Sequence, residues 1–289
     1  MLSRDMAEQE PENRKRVEFS RFRGEFLKRC PGTTADYICC GYNVLSPVIG
    51  CGMYCTYCIL QAYHGDSMQH VCTNFDDLEE EVHQKIQKRG GVYRIGTGEF
   101  ADSLYLEDRT GIASRVVEVF NKYDNVLLEL KTKSVNVTDK LMRDTEKPYK
   151  VIISFSMNTP EMVDHLERDT ASIDQRLDMA AEVVKRGFYT AFHFDPMIYH
   201  KGWKEGYQDL VKRIFDRIRE PDRIAWWSMG GFRSVPALKR HLRRYRSHLS
   251  LFSGEMVLGR DNKYRYIRPI RVGFYSTILE QIQELYPET

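Results

Sequence analysis

The chain has 289 residues, 42% of them hydrophobic and 29% charged, which supports a packed core of one large or two small domains and excludes the composition of a disordered protein. No run approaches the ~20 apolar residues of a membrane span, and the charged residues 1–29 hold no apolar export segment, so the expected address is the cytoplasm. Net charge is +2, but residues 233–271 carry eleven Lys or Arg against Glu255 and Asp261, a local +9 set against −7 elsewhere.

Residues 1–29 mix both charge signs around Pro11 and read as a mobile or peripheral arm. Short apolar runs rich in β-branched and aromatic residues then predict strands at 37–42, 92–96, 126–130, 151–156, 190–194 and 224–228. Helical spacing separates them: Leu78, Val82 and Ile86; Ile112, Val116 and Phe120; a short helix at Leu141; and Ile173, Leu177, Ala180 and Val184. Ser172 and Gln175 form a capping box for the last of these, with Gly187 at its C-terminal stop. Further helices are predicted at 207–218 and 236–246. Six alternations of strand and helix predict an α/β fold with a parallel sheet and right-handed crossovers in residues 30–232, followed by a basic segment, 233–289, packed on it. In such folds chemistry sits at the carboxyl ends of strands, which places the motifs below around one mouth.

Seven cysteines in a chain without an export signal argue against a disulfide framework. Cys51, Cys55 and Cys58 fall within eight residues, beside Gly50 and Gly52, which permit a compact loop. Soft sulfur donors at this spacing suit an iron–sulfur cluster or zinc. Zinc normally takes four protein ligands, with Cys72 or His64 as candidates for the fourth, whereas three cysteines on a [4Fe–4S] cubane leave one iron open for a chelating molecule. Cys30, Cys39 and Cys40 are expected not to be ligands.

The CxxxCxxC spacing, with Tyr57 before its last cysteine, resembles the signature of the radical S-adenosylmethionine superfamily. Longer stretches resemble the spore photoproduct lyase family: Tyr37-Ile38-Cys39-Cys40-Gly41-Tyr42, then Cys55-Thr56-Tyr57-Cys58-Ile59-Leu60-Gln61, Ser156-Met157-Asn158, and the run from Asp195-Pro196 through Trp203 to Tyr207. The resemblance covers the chain from Cys30 nearly to its end. It implies a partial (β/α)6 TIM-type barrel, a [4Fe–4S] cluster on Cys51, Cys55 and Cys58, and S-adenosylmethionine bound by its amine and carboxylate to the open iron. An electron from the cluster would break a carbon–sulfur bond of S-adenosylmethionine, and the 5′-deoxyadenosyl radical would abstract hydrogen from substrate. A reducing donor of the flavodoxin or ferredoxin type is implied as well.

By the same resemblance, Gly98 and Glu99 would hold the methionine amine, Lys133 and Ser156 would contact S-adenosylmethionine, and the loop at Asp195 would approach the adenine. Each has a plainer reading: a surface carboxylate, a solvated lysine, a serine bonded to backbone. His193 reads equally as an interior barrel histidine. Tyr199, His200 and Trp203 are placed to line the mouth, and Trp226 and Trp227 point to opposite faces of a strand. Two positions depart from the family. Glu99 stands where the family's hydrogen-donating cysteine is expected, and Ile59 replaces the second of two relay tyrosines, leaving Tyr57.

In the basic segment, Arg240, Arg243, Arg244, Arg265 and Arg268, interleaved with tyrosines, suit a phosphate backbone with exposed bases, although a charged outer helix looks the same. The expected substrate is a nucleic-acid base lesion. Radical modification of a peptide, tRNA or small molecule is the alternative, and a non-catalytic zinc-binding nucleic-acid module is a third class.

Overall fold

The computed structural model describes residues 15–31, 38, 40–63, 68–88, 91–245, 250–252 and 254–287. Six parallel strands lie side by side in chain order: Tyr42–Leu45, Tyr93–Gly96, Val126–Thr132, Val151–Ser156, Tyr189–Met197 and Ile224–Gly231. Their registers run Tyr42 with Arg94, Ile95 with Leu128, Leu130 with Ile153, His193 with Ser156, and His193 with Ser228. Helices connect each strand to the next, and between the first two strands the cysteine loop precedes the helix Phe75–Lys88.

The sheet is curled. The Arg94 guanidinium of the second strand lies 4.0 Å from the Trp226 ring of the sixth, whereas four strand spacings in a flat sheet would separate them by ~19 Å. Curling brings the inward faces of the strands around one interior and leaves the helices outside, the arrangement of a partial barrel.

Local sequence accounts for most boundaries. The helix Ile173–Lys185 has the expected reciprocal capping box of Ser172 and Gln175, and Gly187 follows it at φ +88°, a conformation open to glycine. Leu78, Val82 and Ile86 are buried under the Phe75–Lys88 helix. Of the apolar run at 37–42, Tyr37 and Cys39 lie outside the described residues; the described strand starts at Tyr42, directly after Gly41 at φ +74°. The helix after the fifth strand, Trp203–Arg217, starts earlier than expected, directly after Gly202 at φ +76°.

The amino-terminal expectation is corrected for the described residues. Val17–Ser20 pairs with Gln69–Cys72 in a small sheet, and Leu27–Arg29 adds an antiparallel strand to the edge of the barrel sheet beside Tyr42–Leu45. Phe26 and Leu27 are buried, and the Glu81 carboxylate accepts their backbone N–H groups at 3.0 and 2.9 Å. Charge density suggested a mobile or peripheral arm; the described part is peripheral, an edge strand anchored by its buried apolar pair.

At the other end, the 18-residue helix Arg268–Leu285 was not anticipated. Its outer face carries Val272, Leu279 and Leu285, all exposed, and these blur the helical period. Its inner face packs on Trp203–Arg217, with Phe274 edge-on to Trp203 at 4.8 Å. No described helix is long and apolar enough to cross a membrane.

Leu27→Ala should destabilise the fold by about 2–5 kcal/mol, as truncation of a buried leucine does. The exposed Leu285→Ala should change stability by less than ~0.5 kcal/mol. Urea unfolding of the two variants checks whether the edge strand belongs to the cooperative unit.

Candidate active site

The cysteine loop follows the first barrel strand and is tied to the segment after the fourth. Its short strand Tyr54–Cys55 pairs antiparallel with Glu167–Arg168, placing Cys55 opposite Glu167. The Cys58 amide donates to the Cys55 carbonyl at 3.0 Å, and Thr56 N–H to the Leu166 carbonyl at 2.7 Å. Gln61 turns its amide back onto the carbonyls of Cys55 and Thr56. Gly50 and Gly52 are required here: a Cβ would meet the Met68 carbonyl at 2.2 Å and the Tyr105 ring at 2.1 Å, respectively.

A chain of buried polar groups supports the loop. Tyr57 donates its hydroxyl to the Glu167 carboxylate. Arg176, fully buried, donates to Glu167 and to the Ser156 carbonyl, each at 2.7 Å, to the Ala171 carbonyl at 3.0 Å and to Thr170 Oγ1 at 2.9 Å. Glu167 and Arg176 were not singled out from sequence, yet there was a signal: Arg176 falls on the apolar face of its helix, among Ile173, Leu177 and Ala180.

The donor set fits an iron–sulfur cluster. Burial pushes the Cys51 thiol up to about 12, with Asp102 and Cys58 adding to the effect. Burial also raises Cys55, opposed by the Lys133 ammonium and reinforced by Glu167, Cys58 and Cys51. Cys51 and Cys55, each with Cys58 as a neighbour, are therefore costly to ionise without a cationic centre to bind. Among the described residues, no group of three His, Cys, Asp or Glu side chains is placed to hold a single metal ion. Cys72 is buried in the separate small sheet, facing Arg115; Cys39 and His64 lie outside the described residues.

The other expected mouth residues end the barrel strands. After the second strand, a Cβ on Gly98 would come within 2.8 Å of the Lys131 side chain. Glu99 is half-buried near Tyr42, whose phenol is raised by burial and by Glu129. Asp102 stitches this loop to the third strand, accepting from Thr132 Oγ1 and from the Lys133 amide, both at 2.7 Å. The Lys133 ammonium then stands 5.8 Å from the Tyr57 ring. Ser156 is buried at the end of the fourth strand, in register with His193. Asp195 is half-buried over Gly230, where a Cβ would meet its Oδ1 at 2.5 Å, and lies 3.4 Å from Arg233.

Deeper in the barrel, Glu129 and His193 face each other, Nε2 to Oε1 at 2.6 Å. Burial alone would raise the Glu129 carboxyl, but the hydrogen bond and charge of His193 hold it down at about 2. Trp226 points inward with its indole nitrogen 3.3 Å from His193, while Trp227 packs outward among Phe192, Phe194 and Phe215.

The basic segment flanks the mouth. Arg233–Ser234 joins the hairpin of Met256–Leu258 and Tyr264–Tyr266 in a three-stranded sheet. The Tyr266 hydroxyl accepts from the Tyr199 amide at 3.1 Å. The helix Pro236–Tyr245 packs on this hairpin through Lys239, 4.4 Å from the Tyr264 ring, and on Leu60–Tyr63, which follows Cys58. Arg240 and Arg268 are exposed. Arg265 corrects the expectation of a phosphate contact: its side chain is 12% exposed and paired with Asp261, so it braces the hairpin. The Arg243 and Arg244 side chains, and Arg246, lie outside the described residues.

A family model described as spore photoproduct lyase matches residues 40–227. The chain is 26% identical over 184 residues to the spore photoproduct lyase of Clostridium acetobutylicum, covering 62% of this chain and 54% of that protein. To the spore photoproduct lyase of Bacillus subtilis it is 28% identical over 168 residues, or 57% and 48% of the two chains. It thus spans about half the length of these relatives. A solved spore photoproduct lyase variant with bound AdoMet and dinucleoside spore photoproduct matches with a TM-score of 0.86 and 22% identity, over 97% of this chain and 83% of that one. At that identity the likeness carries the fold, which is the partial barrel expected from the alternating elements.

Arg176→Met should cost about 3–5 kcal/mol, because it strands the Glu167 charge in the interior. Replacing both Arg176 and Glu167 by Met should recover part of that loss, since no unpaired charge then remains. Thermal unfolding of the two single variants and the double variant measures the coupling.

Proposed function

This chain belongs to the spore photoproduct lyase family, and on that premise we propose that it is an iron–sulfur enzyme that cleaves S-adenosylmethionine reductively and acts on a nucleic-acid base lesion. One observation carries the reading: the three-cysteine loop, Gly98 and Glu99, Lys133, Ser156 and Asp195 all lie at or just beyond the carboxyl ends of barrel strands. The cluster, when bound, supplies the electron that breaks a carbon–sulfur bond of S-adenosylmethionine, so that hydrogen can be taken from substrate.

The residues divide that work. Cys51, Cys55 and Cys58 hold the [4Fe–4S] cluster, and Tyr57 keeps the loop seated through Glu167. Gly98 lets backbone approach the methionine end of the cofactor, where the Glu99 carboxylate pairs with the ammonium. Lys133, fixed at its amide by Asp102, offers a cation to the carboxylate or ribose side, with Ser156 beside it and the Asp195 loop toward the adenine. Arg240, Arg243, Arg244 and Arg268 supply phosphate contacts for a nucleic acid lying across the mouth. A flavodoxin- or ferredoxin-type protein in the cytoplasm delivers the electron.

Glu99 also limits the chemistry. It occupies the position at which the family's thiol returns a hydrogen atom, and a carboxyl O–H is too strong a bond to take over from a weak S–H. Ile59 removes a second part of the same route. These two departures favour retained radical initiation with a changed substrate or product.

Three measurements test this. Cys55→Ala should abolish the visible absorption of the reconstituted cluster; normal iron content would remove the assignment. Glu99→Gln should weaken S-adenosylmethionine binding about tenfold with the cluster intact, the worth of one charge-assisted hydrogen bond. Given the thymine lesion in a dinucleotide, the enzyme should form 5′-deoxyadenosine with little clean thymine release. Efficient repair, unaffected by Cys72→Ala, would restore the plain lyase activity.

A further inference from the structure

The cysteine loop has two flanks. Beyond Cys58, the helix Leu60–Tyr63 meets Pro236–Tyr245 of the basic segment. Ahead of Cys51 the chain leaves a small three-stranded sheet, in which Val48–Ile49 pairs antiparallel with Gln69–Cys72 and Gln69–Cys72 pairs parallel with the outer strand Val17–Ser20. Only Gly50 separates Ile49 from Cys51. On the same side the half-buried Tyr105 covers Gly52, and its phenol has Cys51, Asp169, Lys15 and Arg109 as ionisable neighbours. A single side chain thus reaches from the surface to the surroundings of Cys51.

This flank is basic with an apolar centre. Arg16, Arg23, Arg109 and Arg115 are exposed and have no carboxylate partner among the described residues. Nearby carboxylates are already engaged: Asp77 with Arg21 at 2.7 Å, Asp169 with Lys15 at 3.2 Å, and Glu18 with His70 at 3.5 Å. Unpaired like charges repel one another and do nothing for the fold. Phe19, on the outer strand of the small sheet, is 60% exposed. Arg115 lies over the Phe75 ring at 4.1 Å and faces Cys72. A cavity of about 210 Å³ opens beside it, lined by Ser20, Phe22, Arg23, Ile49, His70 and Cys72. Exposed aromatic and arginine side chains around a shallow cavity are what protein interfaces enrich.

We infer that this flank docks an acidic one-electron carrier protein, with Phe19 as the apolar contact and Arg16, Arg23, Arg109 and Arg115 facing the carrier's carboxylates. The inference rests on the reading of the three-cysteine loop as an iron–sulfur site and adds where the electron enters. The transfer moves one electron and no atoms: the carrier is oxidised by one electron and the cluster is reduced by one. A dock at the Cys51 end of the loop leaves the Cys58 end and the basic segment to nucleic acid, so carrier and substrate do not compete for one surface.

Anaerobic formation of 5′-deoxyadenosine by the reconstituted protein tests it, driven either by a reduced bacterial flavodoxin or by dithionite, which needs no dock. Replacing Arg16, Arg23 and Arg115 together by Glu should raise the KM for flavodoxin about tenfold, through loss of several attractive charge pairs, and leave the dithionite-driven rate unchanged. The wild-type KM should also climb with ionic strength, more steeply than that of the triple variant. An unchanged flavodoxin KM, or an equal loss with both reductants, overturns the dock. A triple variant that loses single-stranded oligonucleotide binding while keeping its flavodoxin KM overturns it too, and assigns the flank to nucleic acid. Failure of dithionite itself to yield 5′-deoxyadenosine would count against the iron–sulfur enzyme separately; calorimetric titration of flavodoxin onto the wild type and the triple variant then still decides the dock.

Discussion

One buried guanidinium ties the cysteine loop to the barrel. Arg176 sits on the inner face of its helix with no exposed surface, and isolated charge there would cost several kcal/mol. Its partners answer that cost in different directions: the Glu167 carboxylate, the carbonyl at the end of the fourth strand, and the turn that begins its own helix. Glu167 in turn faces Cys55 across a two-residue ladder and receives the Tyr57 hydroxyl. The loop between Cys51 and Cys58 is thereby oriented by the same group that secures Ser156, so that the proposed cluster ligands and a proposed cofactor contact share one anchor. A loop of this length with two obligatory glycines would otherwise have many conformations open to it.

The barrel was legible where side-chain period matched burial. Runs such as Val151–Ser156 are buried at every position, and the amphipathic helices keep their apolar faces inward, so strand and helix could be read from local pattern. The start of the Trp203–Arg217 helix slipped at a glycine with positive φ, Gly202, whose conformation is not announced by hydrophobicity. The Arg268–Leu285 helix was hidden by exposed apolar residues on its outer face, and the edge strand Leu27–Arg29 by the charges around it.

The site divides along the same line. The cysteine spacing and the strand-end positions are local and were visible directly. Glu129 with His193 and Glu167 with Arg176 depend on which elements become neighbours, with 64 residues separating the first pair. No single window shows that Glu129, interrupting an apolar strand, meets a histidine across the sheet. A charged residue inside an otherwise apolar periodic pattern was nevertheless the common sign of the buried polar groups Glu129 and Arg176.

The central claim is that three cysteines at this mouth hold a [4Fe–4S] cluster with one iron left for S-adenosylmethionine. Mössbauer spectroscopy of anaerobically reconstituted protein, before and after adding S-adenosylmethionine, tests it most directly. The account predicts four irons per chain in the cluster state, with the signal of one iron shifting when the cofactor binds and the other three unchanged. Colourless protein that instead retains stoichiometric zinc, or a cluster whose spectrum ignores S-adenosylmethionine, would contradict it.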